Sequence, residues 1–195
     1  MGRWEPGADG RLREAALTLY LEQGFEQTMV ADIAERAGVT TRTFFRHFTD
    51  KREVLFHGWG EVQARSLAAL EAAPQTASSL ELVAAALDAV AEVIGTDPPS
   101  VRRRQSIISA HAELREREMI KLTSMSDALA EGLRARGVDA LEASLAAETG
   151  LAVYRVAFGQ WVLRTDDSDL RDLIRIAWDR LRALTGSAET TEPVG

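Results

Sequence analysis

Thr28-Met29-Val30-Ala31-Asp32-Ile33-Ala34-Glu35-Arg36-Ala37-Gly38-Val39-Thr40-Thr41-Arg42-Thr43-Phe44-Phe45-Arg46-His47-Phe48-Thr49-Asp50-Lys51-Arg52-Glu53-Val54-Leu55 is the stretch whose reading settles the fold. Thr28 is placed to cap a short helix carrying Val30, Ile33, Ala34 and Ala37, with Asp32 near its positive end and Gly38 just past its close. Thr40 is placed to cap a second short helix that runs to about residue 47. Two short helices joined around one glycine read as a helix-turn-helix. Phe44 and Phe48, four apart, can pack together against the preceding helices, which turns Arg42 and Arg46 the opposite way. Asp50 then opens a fourth helix with Glu53 three residues on, in the arrangement of a capping box.

Working outward, Leu12, Ala15, Ala16, Leu19 and Tyr20 recur at helical spacing before Gly24, which predicts a first helix over 9–23. The fourth helix is expected to run over 50–72, where Ala73-Pro74-Gln75-Thr76-Ala77-Ser78 breaks the pattern. Further helices are expected over 79–94, 100–110, 113–136, 140–164 and 168–184, and no alternating Val/Ile-rich run suggests a strand. The expected architecture is all-α. A three-helix N-terminal helix-turn-helix domain, 1–52, precedes a larger helical bundle, 53–186, for about nine helices in total. The helix over 50–72 would link the two, and 187–195, polar with a proline, is expected to be a frayed tail.

Of the 195 residues, 46% are hydrophobic and 27% charged, the balance of a globular chain with a real core. No stretch approaches the roughly 18 uncharged apolar residues that cross a bilayer, and residues 1–10 lack the apolar core of a secretion signal. A cytoplasmic protein with no membrane partner is therefore expected. The absence of cysteine removes thiolate metal sites, and His47, His57 and His111 lack the close spacing of zinc motifs, so neither a metal nor a cofactor is expected. The net charge of −7 divides unevenly: residues 1–52 hold eight basic and eight acidic residues, and 53–195 hold fifteen and twenty-two. Phosphate contact needs a local basic face rather than a basic protein, so an acidic remainder does not exclude DNA.

An α-helix fits the major groove, where arginine donates two parallel hydrogen bonds to guanine O6 and N7. Arg42 is the best candidate for that task, with a phosphate contact or solvated charge as its alternative. Thr40 and Thr41 can each donate a hydroxyl to phosphate or base, unless Thr40 only caps its helix. Lys51 sits where an ammonium and nearby amides can hold a phosphate, or it is a solvated charge. His47 either touches phosphate or ends its helix.

Residues 28–55 closely resemble the DNA-binding signature of the TetR family: the cap at Thr28, the Ile33-Ala34 and Ala37-Gly38-Val39 turn, small Thr43, the aromatic pair, His47-Phe48 and Asp50-Lys51. The resemblance assigns DNA contact to Thr28, Thr40, Thr41, Arg42, Thr43, Phe45, Arg46, His47 and Lys51, the last on phosphate. Phe45 stands where the family usually has a tyrosine whose hydroxyl reaches the DNA backbone. A phenyl ring cannot make that bond, though it can press on a sugar or a thymine methyl. Residues 111–118 and 128–137, with Trp161, resemble a subgroup that includes mycofactocin-type regulators, except that Ala112 stands where that subgroup often has proline. Its members include sensors of acyl-CoA thioesters and lipophilic drugs.

The resemblance further implies a homodimer in which the last two helices of each subunit pair, through Ala147, Gly150, Leu151, Tyr154, Phe158, Trp161, Leu173, Ile176, Ala177, Arg180 and Leu184. A small-molecule effector would enter an apolar pocket with a few polar anchors, for which Trp59, Gln105, His111, Met119, Leu122, Met125, Tyr154 and Phe158 are nominated. Arg102-Arg103-Arg104 either faces an anionic ligand or is a solvated charge run. The expected function is a homodimeric repressor of a palindromic double-stranded operator, released when ligand shifts the linking helix. The rival is a dimeric DNA-binding protein without a ligand. No glycine-rich phosphate loop, nucleophile elbow or metal cluster organises the carboxylates, so an enzyme is not expected.

Overall fold

The stripe Leu12, Ala15, Ala16, Leu19 and Tyr20 needs an apolar partner. In the computed structural model, which describes residues 7–186, it is buried along α1 (Ala8–Glu22). Ile33 of α2 (Val30–Arg36), Ala37 just after it and Phe44 of α3 (Thr41–His47) share its core. Gly38 joins the two short helices with φ 67°, a conformation that a Cβ would strain. The N-terminus of α2 differs from expectation. Its cap is Met29, whose N–H is accepted by the Asp32 carboxylate at 3.0 Å, while the Thr28 hydroxyl turns back to the Gly24 carbonyl at 2.8 Å.

The expected helix over 50–72 is interrupted. Asp50 does cap a turn, accepting the Glu53 N–H at 2.9 Å, but Glu53–Phe56 is a single 3-10 turn. Gly58 follows with φ 84°, which no continuing helix adopts, and α4 (Trp59–Ala72) starts only after it. The remaining helices are α5 (Ser79–Ile94), α6 (Pro98–Ala110), α7 (Ala112–Ala135), α8 (Ala140–Leu163) and α9 (Leu170–Gly186). Among the described residues there are nine α-helices and no strand, as expected of an all-α fold. The expected tail, 187–195, lies outside the described residues.

The chain divides into two compact units, and not after residue 52. Residues 7–60 pack with Pro99–Ile120, and Glu61–Pro98 with residues 121–186. The first unit shares one core in which Ile107, Ile108 and Leu114 join Leu12, Phe25, Ile33, Phe44 and Leu55. In the second unit α8 packs on α5 and α9. Gly150 lets α8 approach Val83 so closely that an added Cβ would collide with the valine side chain. The break after α4 is tied down by Arg136, whose guanidinium donates to the carbonyls of Leu70, Glu71, Ala73 and Pro74 at 2.7–3.2 Å, satisfying groups that a helix end leaves open. Among the described residues no helix is long and apolar enough to cross a membrane.

Candidate nucleic-acid interface

The outward face of α3 follows from its inward one. Thr40 caps the helix by accepting the Thr43 N–H at 3.2 Å, with the two hydroxyls 3.0 Å apart. Phe44 is fully buried, and its ring stands 5.4 Å from that of the buried Phe48, the expected i, i+4 pair. One row of side chains is thereby fixed inside, and Thr41, Arg42, Phe45 and Arg46 are left exposed on the other side. Arg42 and Arg46 make no hydrogen bond or ion pair with any described residue. Phe45 is 58% exposed, its ring held edge-on by Phe44 at 5.4 Å. His47 is exposed at the end of the helix, and Thr43 is half-buried at its cap.

Two expected DNA contacts have other work in the structure. Thr28 is 1% exposed, and its hydroxyl is enclosed between the Gly24 carbonyl and the Gln23 amide nitrogen, so it has no surface to offer a phosphate. The Lys51 ammonium donates to the carbonyls of Phe25, Glu26 and Thr28 at 2.8, 3.1 and 3.1 Å and lies 4.6 Å from the centre of the Phe25 ring. An ammonium has three N–H donors, and all three have an acceptor here. The Lys51 carbonyl in turn accepts the Tyr20 hydroxyl at 2.6 Å. Burial, with the nearby Asp50 charge, pushes the Tyr20 phenol well above its usual range. Lys51 and Tyr20 together pin the loop before α2 to the segment after α3. Sequence reasoning missed the Tyr20 bond, because an aromatic on a helical stripe reads as plain core.

Several other cations of this unit are also paired. Arg117 donates to the Glu53 carboxylate at 2.6 Å and lies 3.5 Å from that of Asp50. Arg52 reaches Glu113 at 3.2 Å. The run at 102–104 is neither plainly solvated nor gathered on one anion site. Arg103 pairs with Glu14 at 3.2 Å, and Arg104 donates to the Leu55 carbonyl at 3.3 Å with Glu118 at 3.8 Å. These bonds join the middle of α6 and the start of α7 to α1 and to the segment after α3, and sequence reasoning named none of them.

The nominated ligand residues fall in both units. Trp59, Gln105, His111 and Met119 belong to the first. The Trp59 indole N–H and the Gln105 side-chain carbonyl are buried there without a partner among the described residues, His111 stands 5.2 Å from the Phe25 ring, and Met119 is partly exposed. In the second unit Met125 and Tyr154 line a common apolar cavity of about 20 Å³ with Leu87, Val90, Ser126, Leu129 and Leu151. Leu122 and Phe158 are core, Phe158 stacked on Tyr154 at 5.4 Å.

Of the expected pairing residues, Ala147, Gly150, Tyr154, Phe158 and Trp161 of α8 and Leu173 of α9 are buried within the unit and leave almost no surface for a second subunit. Leu151 and Ala177 are half-buried, and Ile176, Arg180 and Leu184 face outward. The apolar surface of α8 lies on its other side: Leu141, Leu145, Val156 and Leu163 are 56–83% exposed.

Comparison with known proteins bears on the family and the fold. Residues 12–57 match the family described as bacterial regulatory proteins, tetR family, and residues 77–185 match the MftR C-terminal domain. The chain is 34% identical over 176 residues to the HTH-type transcriptional regulator TcmR of Streptomyces glaucescens, covering 85% of this chain and 76% of that protein. Its fold is similar to that of SmeT, repressor of the Stenotrophomonas maltophilia multidrug efflux pump SmeDEF, at 20% identity and TM-score 0.60 over 96% of this chain and 97% of that one. It is also similar to Thermus thermophilus FadR, a TetR family transcriptional repressor solved with lauroyl-CoA, at 19% identity and TM-score 0.56 over 96% and 98%. A third similar fold is FadR from Bacillus subtilis, solved with stearoyl-CoA, at 21% identity and TM-score 0.58 over 88% and 96%. The chain belongs to the TetR family of bacterial transcriptional regulators.

Proposed function

We propose that the protein is a homodimeric repressor that acts in the cytoplasm, grips a palindromic operator through α3, and is released by a small lipophilic or acyl-CoA-like ligand. The observation that carries this reading is the outward face of α3. Arg42 and Arg46 are uncommitted there, while Lys51, Arg52, Arg103, Arg104 and Arg117 of the same unit are all held by its own carbonyls and carboxylates. Arg42 reads a base edge, and Thr41, Arg46 and His47 hold phosphates beside it.

Pairing rests on the apolar residues left in water: Leu145, Val156 and Leu163 of α8 with Ile176 and Leu184 of α9. Exposed apolar surface on two adjacent helices is costly to leave uncovered, and a two-fold partner would cover it with the same surface. Such a dimer reads two half-sites whose centres lie about 10 bp apart, or a multiple of that spacing.

The ligand reading is supported by the apolar cavity at Met125 and Tyr154 and by the acyl-CoA-bound FadR structures of similar fold. At about 20 Å³ the cavity holds no more than a water, so a ligand must open it. Opening there reaches the DNA-binding unit along α7, one continuous helix whose first turns are bonded to the helix-turn-helix through Arg117 and Glu113. A ligand that favours the DNA-incompetent form about 100-fold weakens operator binding by about 2.7 kcal/mol.

The test starts from selection of bound duplexes out of a random pool, with subunit number measured by sedimentation. A palindromic site bound by a dimer is the expected result, and its affinity should fall when a long-chain acyl-CoA is titrated in. Selection of no duplex at physiological salt would overturn the repressor reading. Operator binding indifferent to acyl-CoAs and to lipophilic cations would leave a dimeric DNA-binding protein without an effector.

A further inference from the structure

The exposed face of α3 is not wholly polar. Two rows run along it, Thr41 with Phe45 and Arg42 with Arg46, and Phe45 leaves 58% of its surface in water. That ring has no hydrogen-bonding group, yet it is not loose: Phe44, itself fully buried, holds it edge-on at 5.4 Å and 83°. An apolar ring, in the row beside two arginines that no described residue pairs, is a poor match for phosphate, which offers only charged oxygens. In the major groove one apolar group is on display, the C5 methyl of thymine.

We infer that Phe45 reads a thymine methyl in each half-site, an assignment that rests on α3 being the operator-reading helix. Arg42 and Phe45 are three residues apart, about 4.5 Å along the helix axis. The base-pair rise is about 3.4 Å, so the thymine lies one or two steps from the base read by Arg42. The contact has a direction that a phosphate contact lacks. It favours A·T at one position and contributes nothing to binding of random sequence.

The experiment uses the full-length protein and its selected operator. Each thymine of the half-site is replaced in turn by deoxyuridine in both halves, which removes the methyl and leaves every hydrogen-bonding group in place. Binding is followed by fluorescence anisotropy for wild type, F45A and F45L. Burial of one methyl corresponds to about a fourfold change in affinity, hence roughly fifteenfold for two half-sites. The expected result is that loss at one thymine position for wild type, a smaller loss there for F45L, and less than about twofold for F45A, which has no ring left to lose a partner. Phe45 is exposed, so F45A should fold; circular dichroism checks it. Wild type indifferent to deoxyuridine at every position, or F45A as sensitive as wild type, would overturn the inference. Either result leaves the repressor reading standing, since an operator was still selected, whereas failure to select any duplex removes both.

Discussion

Arg42 and Lys51 carry the same charge on the same small unit, nine positions apart, and the structure gives them opposite surroundings. Arg42 extends from α3 with no partner among the described residues. Lys51 turns inward, and three carbonyls take its three N–H donors. A cation in a helix-turn-helix is available to DNA only if the protein's own acceptors have not claimed it. Charge and motif position alone do not reveal which case holds.

The comparison breaks most readily at Arg42. Arg42→Ala should weaken operator binding by about 1–3 kcal/mol in each half-site, with the preference at one base pair relaxed and the thermal midpoint unchanged. Anisotropy titrations on the selected operator and on single-base variants measure it. Equal weakening on every sequence would mean that Arg42 holds a phosphate instead.

Lys51→Met sharpens the contrast from the other side. A methionine fills the space without donating, so three carbonyls lose a charge-assisted partner and the unit should be destabilised by about 2 kcal/mol in chemical denaturation. The slope of log affinity against log salt should stay at its wild-type value. If that slope falls by about 1.8, one phosphate has been lost in each half-site and Lys51 was on the DNA after all.

Much of α3 was legible in the sequence because its determinants are local. Thr40 three residues before Thr43 and Phe44 four before Phe48 fix the cap and the inward row, and the outward row follows. What the sequence hid was direction and distance. Thr28 has the right chemistry for a cap, but its hydroxyl points back to Gly24, and Met29 takes the position with help from Asp32. On α8 the apolar pattern is legible, but two stripes compete. Ala147, Gly150 and Trp161 form the inner one and Leu145, Val156 and Leu163 the outer one, and periodicity does not say which of them the fold buries. The docking of Pro99–Ile120 on the helix-turn-helix depends on pairs such as Arg117 with Glu53, 64 positions apart, for which no local pattern exists. Gly58 interrupts a run that reads as one helix, because only its φ of 84° separates a break from a tolerated glycine.

Tyr20→Phe gives the smallest expected effect and the finest distinction between a group that faces DNA and one that pins the fold. It removes the hydroxyl that donates to the Lys51 carbonyl at 2.6 Å, a loss of about 1 kcal/mol near neutral pH, with operator specificity unchanged. The difference should depend on pH with a sign set by burial, which raises the folded-state pKa of Tyr20 above the ordinary phenol value of 10.0. An acid whose folded pKa is raised keeps its full contribution below the unfolded value and loses it as pH climbs past that value, because the unfolded chain then releases a proton that the folded chain retains. Above about pH 10 the wild-type advantage should therefore shrink by about 1.4 kcal/mol per pH unit and reverse near pH 11. Denaturation curves of the two proteins from pH 8 to 11 measure the crossing. A constant offset across that range would mean that the phenol titrates freely, and that the pin between Tyr20 and Lys51 is not closed in solution.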